Sequence, residues 1–242
     1  MNFEIRNVSL TINGKSIVND VSISVCPGEI VGLMGPNGAG KTSTFNLAVG
    51  NLKPDKGDVL INNKSISNLP LPSRAKLGLG YLTQEASIFR DLTVKDNIDL
   101  ALHNSSYSRA AIRNRREQLI NEFNLNNFVD NYGYQLSGGE RRRCEIARAL
   151  TVGRKGPKFL LLDEPFAGID PLAVNDLKKL ILKLRSDGVG ILITDHNVRE
   201  TLLITNKSYV LSEGKILANG SSSELADNPI VKKYYLGDNF RL

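Results

Sequence analysis

The chain has 242 residues, 41% of them hydrophobic, enough for a full core in one large or two small domains. No apolar run approaches the roughly 20 residues of a membrane-spanning helix, and the first ten residues alternate polar with apolar instead of presenting a signal peptide's apolar centre, so a cytoplasmic protein is expected. The net charge of +6 suits either a nucleic acid or a surface of acidic lipid headgroups, and composition alone does not choose between them.

Strand-like runs open the chain at residues 3–10, 16–25 and 29–34, separated by Asn, Asp and Gly turns. Cys26 and the distant Cys144 sit in no metal-ligand spacing and read as reduced structural thiols. The third run, Glu29-Ile30-Val31-Gly32-Leu33-Met34, is apolar in the manner of a buried strand. It leads directly into Gly35-Pro36-Asn37-Gly38-Ala39-Gly40-Lys41-Thr42, which fits G-x-x-x-x-G-K-[ST]. In such a loop glycines let several N–H groups converge on one anion. Lys41 adds a charge for the β- and γ-phosphates of a nucleotide, and the Thr42 hydroxyl suits Mg²⁺. Residues 42–49, with Ser43 in the first turn, lack breakers and place Phe45, Ala48 and Val49 at helical spacing, so a helix is expected to begin at the anion. The plainer alternative, a glycine-rich turn before an ordinary helix, is disfavoured by the strand-loop-helix context.

Further strands are predicted at residues 58–61 and 78–83. From about residue 93 to 135 the chain becomes polar and helix-compatible, with Ile112, Leu119, Ile120 and Phe123 forming one apolar stripe along 110–123. In Gln135-Leu136-Ser137-Gly138-Gly139-Glu140, Ser137 is a good helix cap and Glu140 completes a capping box. The helix over 140–150 is expected to bury Cys144, Ala147 and Leu150. Its start reads as a second anion-binding terminus with Ser137 and Gly139 as donors, while Arg141, Arg142 and Arg143 read as a solvated face. Phe159-Leu160-Leu161-Leu162-Asp163-Glu164 is an apolar strand ending in two carboxylates. Ligands of open α/β sheets gather at such strand ends. Asp163 is placed on the Mg²⁺ that Thr42 serves, and Glu164 beside the water that attacks the γ-phosphate. A helix over 172–186, a strand over 190–194 and a helix over 199–205 follow, and the plain reading of the C-terminus is a surface helix over 223–235 with a packed tail. This order implies a mostly parallel sheet flanked by helices, with a helical insertion in its middle.

Taken together and in that order, GPNGAGKT, LSGGE and FLLLDEP resemble the nucleotide-binding subunit of an ABC transporter across essentially the whole chain. The resemblance implies the ABC ATPase fold: an α/β P-loop NTPase core with a mostly parallel sheet, an antiparallel β subdomain and an inserted helical subdomain. It implies one nucleotide-binding domain over 1–242, the insertion at about 86–150 and a C-terminal helical tail at about 221–242. It implies ATP and Mg²⁺ as ligands, with Gly35, Pro36, Asn37, Gly38, Ala39, Gly40, Lys41, Thr42 and Ser43 around the nucleotide and Asp163 on the metal. Gln84 takes the position of the glutamine that senses Mg²⁺ and the attacking water. Asp170 closes the Ala167-Gly168-Ile169-Asp170 turn, and His196 in TDHN matches the histidine that contacts the γ-phosphate. A lone histidine is ordinarily structural, but this one follows the apolar run Ile191-Leu192-Ile193-Thr194.

The resemblance also implies a head-to-tail homodimer in which Ser137, Gly138 and Gly139 of one subunit close over the ATP of the other. A chain without membrane spans must lend that closure to transmembrane permease subunits, expected to dock between Gln84 and Leu92 with Phe89 and Arg90 in the groove. That places the protein peripherally on the inner face of the inner membrane, with no nucleic-acid partner. Ile12 stands where many relatives stack an aromatic on adenine, which should forfeit roughly 0.5–1.5 kcal/mol, and Thr83 precedes Gln84 where relatives often have proline. Within the family, YLTQEASIFR at 81–90, LSGGERRRCEIARAL at 136–150 and the ending YLGDNFRL at 235–242 are most similar to ATPases of lipopolysaccharide export. ATPases of branched-chain amino-acid importers are the nearest alternative. Soluble ABC ATPases acting on DNA or ribosomes usually fuse two nucleotide domains, which 242 residues do not accommodate, and the guanine-reading N-K-x-D of a GTPase is absent.

Overall fold

Alternating burial carries β1 (Phe3–Ile12) and β2 (Lys15–Val25) into an antiparallel pair closed by Asn13 and Gly14, both at positive φ as a tight hairpin turn requires. On the other edge of β1 lie β4 (Lys56–Ile61) and then the short β5 (Lys64–Ser65), giving a four-stranded antiparallel sheet in the order β2-β1-β4-β5. The second sheet holds β3 (Ile30–Met34), β6 (Leu79–Leu82), β7 (Phe159–Asp163), β8 (Gly190–Thr194), β9 (Lys207–Ser212) and β10 (Lys215–Gly220). Its order is β10-β9-β3-β8-β7-β6, parallel throughout except between β9 and β10. This computed structural model describes residues 2–105, 107–153 and 156–242; Ser106, which falls in the expected helical stretch, lies outside that description.

The central parallel strands β3, β7 and β8 are buried at every position and largely apolar, because both faces of the sheet are covered there. Val31, Leu33, Leu161 and Leu192 face a core shared with β1, β2 and α1 (Lys41–Val49), where Phe3, Val8, Val18, Phe45 and Leu47 are buried. The alternate residues Ile30, Leu160, Leu162, Ile191 and Ile193 face a second core. That core is filled from α3 (Val94–His103), α4 (Arg109–Glu122), α5 (Gly138–Ala149) and α6 (Pro171–Ser186), which insert Leu102, Leu119, Ile146 and Leu177. The short α2 (Leu71–Lys76) precedes β6, and α7 (Val198–Leu202) follows β8. The stripe Ile112, Leu119, Ile120 and Phe123 is buried as its spacing predicts, and so are Cys144, Ala147 and Leu150. Among the described residues no helix is long and apolar enough to cross a membrane.

Three expectations need revision. The hairpin β9–β10 was not anticipated; its turn is Glu213-Gly214, both at positive φ, a weaker signal than Asn-Gly or Asp-Gly. The helix expected over 199–205 ends at Leu202. The expected C-terminal helix over 223–235 is broken into α8 (Ser222–Asp227), α9 (Pro229–Val231) and a π-helical turn at Lys232–Leu236. The break sits at Asn228-Pro229, where the pre-proline residue is extended and its side chain caps the N–H groups of Ile230 and Val231. Both cysteines are free thiols. Cys26 is exposed and so lacks the structural setting expected of it, whereas Cys144 is buried, and burial pushes its thiol up to about 12.

Candidate functional site

The loop after β3 wraps the front of α1. Gly40, immediately before the helix, has φ +100, and a Cβ there would lie 2.7 Å from the Ile17 carbonyl. No side chain caps α1 and no acidic residue occupies its first turn. The short α2 and α7 are uncapped too, but every helix longer than α1, namely α3, α4, α5 and α6, is capped by a Thr, Ser or Asp side chain. The positive end of α1 is therefore left to a ligand. Lys41, only 9% exposed, donates from Nζ to the carbonyls of Gly35 (2.7 Å) and Pro36 (3.0 Å). Burial lowers its pKa, against the pull of the Glu164 and Asp163 carboxylates.

Facing the loop is the end of β7. Glu164 adopts φ +50, rare for a non-glycine residue, and its N–H donates to the Thr194 carbonyl at 2.8 Å. This left-handed step turns the chain out of the strand ahead of Pro165. The Glu164 carboxylate is held from two sides: Oε2 accepts from Gln84 Nε2 at 3.0 Å, and Oε1 lies 2.8 Å from His196 Nε2. Asp163, one residue back, is almost wholly buried. Burial, reinforced by the charge of Glu164, pushes its carboxyl up to about 6 against the opposing pull of Arg142 and Lys41. Asp195 fixes the neighbouring turn, accepting from the N–H groups of Phe166 and Asn197, each at 2.8 Å. Burial raises its pKa while those two bonds oppose the shift.

Gln84, Glu164 and His196 thus meet Asn37, Gly38, Ala39, Gly40, Lys41, Thr42 and Ser43 around one cleft of about 390 Å³. Lys15 and Ile17 on β2 also line it. Sequence reasoning missed both, because their approach depends on β2 folding back over the loop. Ser137, Gly138 and Gly139 do not line this cleft. Ser137 caps α5, exchanging hydrogen bonds with Glu140 as the capping-box pattern predicts. Asp170 caps α6 by accepting from the Ala173 N–H at 2.9 Å. The glycine turn packs on that second cap: a Cβ at Gly139 would come within 2.7 Å of Ala173 Cβ.

The reading of the Arg141-Arg142-Arg143 cluster as a solvated face is corrected for Arg142, which is 5% exposed. Its guanidinium donates to the carbonyls of Thr83, Asp163, Glu164 and Pro165 and pairs with buried Glu145 at 3.0 Å. One side chain on α5 thereby holds the backbone next to Gln84 and at both carboxylates. Glu145 in turn accepts from the N–H groups of Ser87 and Ile88. Arg148 donates to the Ser87 carbonyl at 2.6 Å and lies 4.7 Å above the Phe89 ring, which is 45% exposed; Arg90 is exposed beside it.

The profile of the ABC transporter family matches residues 18–167, spanning the phosphate loop, Gln84, the Ser137 turn and Glu164. The chain belongs to the ABC transporter family. Its activity as an ABC ATPase is ATP hydrolysis. Among curated relatives, the lipopolysaccharide export system ATP-binding protein LptB of Acidithiobacillus ferridurans is 50% identical over 226 residues, covering 93% of this chain and 92% of that one. The protein of the same name from Escherichia coli K12 is 50% identical over 238 residues, 98% of each chain. Among solved structures, the ADP conformation of MJ1267, an ATP-binding cassette of an ABC transporter, superposes with a TM-score of 0.87 at 27% identity, covering 98% of this ABC ATPase and all of that chain.

Proposed function

We propose that this ABC ATPase powers lipopolysaccharide export, acting peripherally on the inner face of the inner membrane. The support is the 50% identity, over 98% of both chains, to a protein named for that export system. For the chemistry, the carrying observation is the double hold on Glu164 from Gln84 and His196 at the mouth of the phosphate loop. In this reading Lys41 and the loop N–H groups from Gly35 to Ser43 bind the phosphates. Glu164 takes the proton of the attacking water, Gln84 orients that water, and His196 holds Glu164 and reaches toward the γ-phosphate.

The residues fit Mg²⁺. Among the described residues no three His, Cys, Asp or Glu side chains gather into a cage. The Thr42 hydroxyl, the Asp163 carboxyl and the Gln84 amide are instead hard oxygen donors of the sparse kind that leaves room for phosphate and water ligands. Bound there, Mg²⁺ would supply charge neutralisation for the leaving phosphates.

We infer further that Ser137, Gly138, Gly139 and Asp170 serve the cleft of a second copy, since the caps of α5 and α6 to which they belong do not line the cleft of their own chain. Two permease subunits would meet the pair along the segment from Gln84 to Leu92, where exposed Phe89 and Arg90 project. Mixing equal amounts of Ser137→Ala and Lys41→Ala subunits tests the shared site. In a two-fold dimer each heterodimer regains one intact site, so random exchange should return about a quarter of wild-type phosphate release, well above either parent. A mixture showing only the mean of its parents would place every catalytic group within one chain.

A further inference from the structure

Behind the phosphate loop, at the opposite end of α1, lies a buried guanidinium with no carboxylate partner among the described residues. Arg74, on α2, is 0% exposed. Its Nη1 donates to the carbonyls of Leu47 (2.9 Å) and Ala48 (2.6 Å), Nη2 to Ser67 (3.1 Å) and Nε to Leu69 (2.9 Å). Leu47 and Ala48 belong to the last turn of α1, where carbonyls have no partner within the helix. Both residues are fully buried, so without Arg74 two carbonyls would be stranded in the core. The helix supplies no remedy of its own, having no basic residue in its last turn. Gly50, which ends it at φ +91, is also the opening through which the guanidinium reaches: a Cβ there would lie 2.7 Å from Arg74 Nε and 2.8 Å from Cζ.

We propose that Arg74 is a positioning residue for ATP binding: by gripping the rear carbonyls of α1 it sets the axial seat of the helix, and with it the cradle presented to the phosphates. Three physical points converge. α1 is nine residues long, so a displacement of its last turn carries to its first turn nearly undiminished. The buried side chains of its second half, Phe45, Leu47, Ala48 and Val49, are apolar, and such contacts resist sliding along the axis less than directional bonds at an end do. A cation at the negative end of a helix also reinforces the field that its positive end offers to an anion.

The inference rests on the phosphate-loop reading, and Lys41→Ala serves as the control that separates the two. The purified full chain is compared as wild type, Arg74→Met, Arg74→Lys and Lys41→Ala, with ATP and Mg²⁺ as the probe, each well below its own melting temperature. Arg74→Met should bind ATP about tenfold more weakly, with KM rising in step and kcat held within about twofold, as for an interaction made equally in ground and transition states. Arg74→Lys keeps the charge but cannot span four carbonyls, and should lose about threefold. A merely structural arginine would lower the melting temperature and leave the Kd of the folded protein alone. A wild-type Kd in Arg74→Met therefore overturns the inference, provided Lys41→Ala abolishes binding; should Arg74→Met not fold, a wild-type Kd in Arg74→Lys overturns it equally. Unchanged binding in Lys41→Ala would instead refute the phosphate-loop reading.

Discussion

Replacing Glu164 by Gln should lower ATP hydrolysis by about 10²–10⁴-fold while leaving nucleotide binding in place. The side chain keeps its shape, so the left-handed backbone at this residue and the hydrogen bond from Gln84 Nε2 both remain possible. What disappears is the capacity to accept a proton from water. His196 Nε2, now 2.8 Å from a carboxylate oxygen, would face an amide instead and lose its charge-assisted partner. The split between rate and affinity is the diagnostic readout, measured as phosphate release alongside the Kd for Mg-ATP. Hydrolysis near the wild-type rate would show that another group takes the proton.

Arg142→Met should cost about 3–5 kcal/mol of stability by urea unfolding. Volume is nearly conserved, so packing is not the main loss. Glu145, itself 2% exposed, would keep its bonds from Ser87 and Ile88 but lose its counter-charge. The carbonyls of Asp163 and Glu164 would lose their donor in a place that water does not readily reach. Combining Arg142→Met with Glu145→Gln should cost less than the sum of the two, because the stranded charge is removed along with its partner. Strict additivity would mean that the pair does not act as a unit. A second consequence is catalytic: with the backbone at Thr83 and Glu164 released, hydrolysis by the folded variant should fall as well.

Much of this was readable from local pattern. The phosphate loop, the Ser137 capping box and the strand ending at Asp163 are each written within about ten consecutive residues, and each combines hydrophobic period with a turn or cap. Their order along the chain is itself characteristic of the family. What escaped the sequence reading depends on partners far along the chain. Arg142 lies in a strongly polar stretch, GGERRR, and nothing nearby announces that the carbonyls of Thr83 and Glu164 will surround it. Arg74 is hidden for the same reason, its acceptors lying on α1 and in the loop before α2. Lys15 and Ile17 reach the cleft only because an entire antiparallel sheet folds against the loop. The broken C-terminal helix is different: Asn228-Pro229 is a local signal, since a residue before proline is driven out of the helical region.

The twelve residues of α5 span about 18 Å. Ser137 stands at the prow, Arg142 and Glu145 are riveted amidships, and Arg148 at the stern cradles the Phe89 ring. A shove delivered to that aromatic is therefore expected to reach the glycine turn at the far end through a single continuous helix.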